Sequence, residues 1–219
     1  MQNFFRFSKG WHDAVSTLNR TIILMGVVLC IEATFFFLNR RISTIPPIYL
    51  SGLMRTADMI VLFFWGPWSF KGAHMKKAIQ EAIVVTVVVA AAGFLLLTFL
   101  KTVMGAFLPK IRNPSLYYQG TSLIAFYLTA CLISPVAEEL FFRGLLYRKM
   151  RQRFGTWLSV LAVSFIFALM HYNKGVGMPF LGSLIFCMGY EKTKFILTPI
   201  LLHISGNIIL YLSPFIGFV

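Results

Sequence analysis

The later half of the chain holds a small set of side chains of the types that move protons. Glu138 and Glu139 stand side by side in the run Ser134-Pro135-Val136-Ala137-Glu138-Glu139-Leu140-Phe141-Phe142-Arg143-Gly144. His171 closes the apolar stretch that contains Phe167, and His203 precedes Asn207 by four residues. A carboxylate can take a proton from water, and an imidazole can carry one onward. An amide N–H can hold a developing oxyanion. Together they could activate water and stabilise the adduct formed on a carbonyl.

Spacing sorts the roles. Glu139 and Arg143 are i, i+4, so on a helix they share a face and pair. Glu138 is rotated by about 100° from that face. It is not the natural partner of Arg143, which makes it the freer carboxylate and the candidate base. Phe167 and His171 repeat the i, i+4 spacing, so the ring can pack beside the imidazole and keep bulk water away. His203 and Asn207 repeat it again, and the amide is expected to hydrogen-bond the histidine or a reacting oxygen. Each residue also has a plain structural reading. Glu-Glu pairs are common, and a histidine at a helix end is often a satisfied interface residue. It is their coincidence in hydrocarbon, at matched spacings, that points to function, because ionisable groups are costly there and usually mark a site.

The elements that must carry them are membrane spans. Of the 219 residues, 58% are hydrophobic and 12% charged. A soluble domain averages about 45–50% apolar and about 25% charged. The excess lies in long apolar runs. The fold class read from them is all-α, a polytopic transmembrane helical bundle of about seven spans (six to eight). The runs are Thr21 to Leu38, a less clear one over about 48–70 after Pro46 and Pro47, Ala82 to Leu100, Thr121 to Tyr147, Thr156 to Tyr172, Val176 to Tyr190 and Phe195 to Leu212. Arg55 and Asp58 interrupt the second run, and Trp65 and Trp68 mark its far interface. Glu32 is a lone acid in the first span, expected to face the interior and pair. Residues 1–20 read either as an interfacial helix or as a juxtamembrane tail. We divide the chain into 1–119, N-terminal spans with an interfacial segment, and 120–219, a catalytic core, within one integral membrane unit.

The net charge of +13 comes from 20 Lys and Arg against 7 Asp and Glu. These cations cluster between apolar runs, as anionic lipid headgroups and the positive-inside rule would have it. No nucleic acid partner is expected, since no basic arm or nucleic-acid module is present. Arg6, Lys9 and Arg20 with the clusters at Lys71/Lys76/Lys77, Arg148 to Arg153 and Lys192/Lys194 fall on the side of the N-terminus, and Arg40/Arg41/Arg55, Lys101/Lys110/Arg112 and Lys174 on the other. This bias puts the N-terminus in the cytoplasm of a multi-pass plasma-membrane protein. Cys30, Cys131 and Cys187 lie in separate runs and read as small buried hydrophobes.

Glu138-Glu139-x-x-x-Arg143, Phe167-x-x-x-His171 and His203-x-x-x-Asn207, in this order, resemble the three motifs of the CPBP family. These are type II CAAX-prenyl proteases and bacteriocin-processing (Abi-type) intramembrane proteases. The resemblance covers roughly 120–212, and the wording Thr198-Pro199-Ile200-Leu201-Leu202-His203 adds to it. It implies hydrolysis of a peptide bond within the membrane. It implies that Glu138 and His171 activate the water, that His203 and Asn207 hold the oxyanion, and that Glu139, Arg143 and Phe167 support them. Both metal-dependent and metal-free glutamate types are described in this family. No HExxH is present, so the metal-free type is favoured here. If a metal takes part, zinc is the candidate and Glu138, His171 and His203 are its ligands.

The function read from the sequence is an intramembrane endopeptidase acting on a membrane-delivered peptide or protein. One alternative is a non-catalytic membrane partner on the same scaffold, an immunity protein or sensor-kinase regulator. Another is a small transporter, for which no inverted repeat is seen. Ser205 lacks the GxSG context of a rhomboid nucleophile and reads as a packing residue.

Overall fold

A computed structural model describes residues 2–66, 75–104, 114–172 and 175–212, with the side chains of 2–19, 97, 100, 101 and 104 left aside. Trp68, Lys71, Lys110, Arg112, Lys174 and the end of the second span near 70 lie outside these residues.

The described residues form helices and no strand. Helix α1 runs Gln2–Arg41, α2 Pro47–Trp65 and α3 Met75–Met104. The helical rod over 121–154 is built of α4 (Thr121–Leu128), a π turn (Thr129–Ile133), α5 (Ser134–Glu139), a second π segment (Leu140–Tyr147) and α6 (Arg148–Phe154). Then come α7 (Thr156–Met170), α8 (Gly177–Thr193) and α9 (Leu197–Leu212). Counting the rod as one, these are the seven helical stretches expected. The stretches Arg20–Arg41, Pro47–Trp65, Met75–Leu96 and Thr121–Phe154 are long and apolar enough to cross a membrane, while α7 and α9 are shorter apolar helices. Their 15 and 16 residues reach less than the about 30 Å of a hydrocarbon core at about 1.5 Å per residue.

Local rules explain several boundaries. The Pro46-Pro47 pair does not delay α2: Pro47 sits in its first turn, where a missing N–H breaks no helical bond. The helix ends at Trp65, earlier than the run over 48–70 implied, with Gly66 extended. Gly155 parts the rod from α7 at φ 76°, a conformation that favours glycine. The N-terminal residues join the first span in one continuous helix rather than forming a separate interfacial one.

The interior is assembled from few residues per helix, because the outer faces meet lipid. Helix α7 packs on α8, α8 on α9, α9 on α3, and α1 on α2, while α2 lies along the rod. One apolar cluster joins Phe142 and Tyr147 to Val160, Val163, Phe167 and Cys187. A second joins Leu140 and Leu145 to Leu24, Val28 and Leu62. Large residues such as Phe64, Val84, Leu95 and Leu161 are exposed, as lipid-facing positions are. The expectation that all three cysteines are buried holds for Cys131 and Cys187 only: Cys30 is exposed on the outer face of α1. An apolar solvent removes the penalty that would drive a small thiol inward.

Candidate active site

The rod is irregular where the two carboxylates stand, and Pro135 explains half of it. In the π turn the Ser134 N–H reaches the Thr129 carbonyl, an i, i+5 bond. The next bond in that register would join the Pro135 N–H to the Ala130 carbonyl, and proline has no N–H. Asn207 supplies the missing donor: its Nδ2 bonds Ala130 O at 2.8 Å. Of the two partners expected for the Asn207 amide, the histidine is not the one bonded: the bond goes across to the rod. An orphaned carbonyl in an apolar interior is a stronger claim on the amide than a histidine already satisfied elsewhere. Short π turns inside helices are frequent at functional sites.

Glu139 and Arg143 pair as their spacing predicts, Nη1 to Oε1 at 2.9 Å, and both are fully buried. Arg143 Nη2 also donates to the Ser183 carbonyl at 3.0 Å and to its hydroxyl. The rings of Phe167 and Phe186 lie 5.2 and 5.3 Å from the guanidinium carbon, within cation–π range. Glu139 Oε1 further accepts from His203 Nδ1 at 2.8 Å. The second carboxylate thus does more than hold an arginine. It fixes the tautomer of His203 and aims Nε2 away, toward Glu138.

Glu138 faces the other way. Its Oε2 lies 3.6 Å from His171 Nε2 and 3.9 Å from His203 Nε2. His171 ends α7 and bonds the Phe167 carbonyl through Nδ1 at 2.8 Å. A carbonyl only accepts, so Nδ1 carries a hydrogen, and Nε2 is the nitrogen turned toward Glu138. Phe167 stacks on His171 with ring centroids 4.4 Å apart, as the spacing implied. Phe186 stacks on His203 at 4.7 Å. Both imidazoles are therefore clamped by a ring on one side and a hydrogen bond at Nδ1. The arrangement turns two nitrogens toward one carboxylate oxygen.

From the sequence, Glu138, Glu139, Arg143, Phe167, His171 and His203 form one cluster, and Asn207 joins it one step away through the π turn. Glu32 does pair, with Arg55 on α2, at the edge of the same cluster. Three participants were missed. Ser183 and Phe186 lie on α8 and had no flag beyond being a serine and a phenylalanine in an apolar run. Arg55 was visible only as an interruption of the second run, yet its Nη2 lies 3.9 Å from Glu138 Oε1. Ser205 donates to the Leu202 carbonyl at 3.0 Å, in keeping with a packing role.

Zinc is the metal that the motif resemblance allows. The donor types suit it, and each histidine has an Nδ1 partner of the kind that orients metal ligands. Among the described residues no group of three His, Cys, Asp or Glu side chains is already gathered to hold one ion. Glu138 Oε2 itself faces both Nε2 atoms.

Residues 120–209 match the family described as type II CAAX prenyl endopeptidase, Rce1-like. This is the family that the three motifs resemble, and the match spans all of them. No curated protein and no solved structure matches the chain. The family match supports protease activity of the CAAX type in general, and with the apolar helices it supports a membrane location.

Proposed function

We propose that the chain is an intramembrane endopeptidase that hydrolyses a peptide bond in a membrane-delivered peptide or protein with water activated by Glu138 and His171. The observation that carries this reading is the facing of two imidazole Nε2 atoms on one oxygen of Glu138, at 3.6 and 3.9 Å, inside an apolar bundle. A water held against Glu138 Oε2 and His171 Nε2 can lose its proton to either. The carbonyl oxygen would turn toward His203, whose second ring proton is supported by Glu139 behind it. Asn207 keeps one of its two amide hydrogens for that oxyanion while the other holds Ala130. Collapse of the adduct then needs a proton for the leaving amine, and the protonated partner of the first step supplies it.

In this reading the enzyme is of the metal-free glutamate type. Its partners are a membrane peptide or protein and anionic lipid headgroups, in a plasma membrane with the N-terminus cytoplasmic. The test uses the full chain in liposomes with a farnesylated peptide ending in a CaaX tail. Glu138→Gln keeps volume and removes the base, so cleavage should vanish while the chain still folds, as a cooperative thermal transition would show. Full activity in that variant sinks the assignment. Metal analysis of the purified active protein tests the metal-free type, which a stoichiometric zinc content would overturn.

A further inference from the structure

In the sequence Arg55 and Asp58 are breaks in an apolar run. In the fold they form a charged bridge from α1 to the candidate base. Arg55 Nη1 is bonded to Glu32 Oε1 on α1 and lies 3.5 Å from Asp58 Oδ2 on its own helix. Asp58 is only 1% exposed, so the guanidinium is anchored from two sides. Its other nitrogen, Nη2, faces Glu138 Oε1 at 3.9 Å. The two oxygens of Glu138 are thereby divided. Oε1 faces Arg55 and Oε2 faces the imidazoles of His171 and His203.

That division matters because the last torsion of a glutamate is soft. The terminal sp³–sp² rotation is broad and roughly two-fold, so a carboxylate plane is not fixed by its own rotamer. A cation held 3.9 Å from one oxygen draws that oxygen to its side. The planar guanidinium fork suits this task, with one nitrogen on the anchor and the other on the target. Gly52, one turn before Arg55 on the same face, lets α2 come close enough. A Cβ there would sit 2.7 Å from Thr129 Oγ1 in the π turn. Arg55 lies outside the segment that matches the family.

We propose that Arg55 is a positioning residue of Glu138: the guanidinium, held by Glu32 and Asp58, turns the carboxylate so that Oε2 faces both imidazoles. This rests on the reading of Glu138 as the water-activating base. It makes α1 and α2 part of the catalytic unit rather than an anchor for it.

The test uses the full chain in liposomes with the same farnesylated peptide. Arg55→Gln should lower kcat on the order of a hundredfold, the scale of a misplaced reacting group, with KM unchanged. Arg55→Ala should regain cleavage when guanidinium ion is added, and Arg55→Lys should recover only part, since an ammonium lacks the fork. A general loss of packing would not respond to guanidinium. A second arm needs no substrate: denaturation of Arg55→Gln, Glu138→Gln and the double variant. The two single effects should be non-additive. Additive effects, or an unchanged kcat in Arg55→Gln, overturn the proposal. If Glu138→Gln still cleaves, the proposed function fails, and the denaturation cycle alone decides whether Arg55 holds the carboxylate.

Discussion

The Glu139–Arg143 pair offers a test in which stability and catalysis separate. Both side chains are fully buried, and the guanidinium also holds Ser183 on α8. Consider Arg143→Met. It leaves the Glu139 carboxylate inside the bundle with the His203 Nδ1–H as its remaining bond. Breaking one side of a buried pair costs about 3–5 kcal/mol, because the desolvated charge loses its compensation. That is a shift of roughly two to four orders of magnitude in the unfolding constant. Now add Glu139→Gln. The double variant has no buried charge at this point, and replacing a buried pair by neutral groups is often close to neutral. Its stability should return to within about 1 kcal/mol of the parent, since amide and thioether nearly fill the old volume. Cleavage should not return. The His203 Nδ1–H would then bond an amide oxygen in place of the carboxylate that orients the ring, a loss on the order of a hundredfold, the scale of a misplaced reacting group. The assay is unfolding in mixed micelles with increasing SDS, followed by tryptophan fluorescence, beside peptide cleavage in liposomes. If Arg143→Met costs under about 1 kcal/mol, or the double variant is no more stable than the single one, the buried-charge reasoning is wrong.

The remaining predictions concern single contacts. Asn207→Ala should destabilise by about 1–3 kcal/mol by orphaning the Ala130 carbonyl; Pro135→Ala, which restores an N–H in the π register, should shrink that penalty, as equilibrium unfolding of both backgrounds would show. Gly52→Ala should cost about 1–3 kcal/mol through overpacking against Thr129, and Thr129→Ala in the same chain should relieve it; no relief would mean that the close approach does not matter. Glu191, just past the apolar run that ends at Tyr190, is pushed up by burial, but the hydrogen bond and charge of Lys194 and the charge of Arg151 outweigh this and hold it below the usual carboxylate range. A lowered folded value means that its contribution is present above the ordinary carboxylate pKa and fades as pH falls through the lowered one. Glu191→Gln should therefore lower the thermal midpoint near pH 7 slightly, by the up to about 1 kcal/mol of a surface pair, and match the parent in strong acid.

How much of this was legible beforehand follows the range of the interactions. Contacts set by one helix turn came through: Glu139 with Arg143, and Phe167 on His171, depend only on an i, i+4 spacing that any regular helix delivers. The helix count came through because hydrocarbon demands long apolar runs. What failed was tertiary. Asn207 turns from His203 to Ala130 because a π turn and a proline leave a carbonyl without a partner, and the only trace of this in the sequence is Pro135 itself. Ser183 and Phe186 serve Arg143 and His203 from another helix, and no local pattern marks a serine or phenylalanine for such work. Arg55 carried a signal, a guanidinium in mid-span, but Glu138 is far along the chain and the pairing needed the fold. Cys30 was misread because burial and apolar surroundings are the same thing in water and different things in lipid.

The adjacency of the two acids follows from the same geometry. Two residues about 100° apart on a helix must face different neighbours. Glu139 therefore looks toward α9, where His203 meets it, with Arg143 of its own rod beside it and bonded on to Ser183 of α8, and Glu138 looks toward α2 and α7. His203 is the group that touches both, with Nδ1 on Glu139 and Nε2 toward Glu138. Count the formal charges of Glu32, Asp58, Glu138 and Glu139 against Arg55 and Arg143: two negative charges remain. Hydrolysis asks for one group that lacks a proton and one that can give it. Glu138 Oε2, facing Nε2 of both His171 and His203, has two imidazoles within its reach for that exchange.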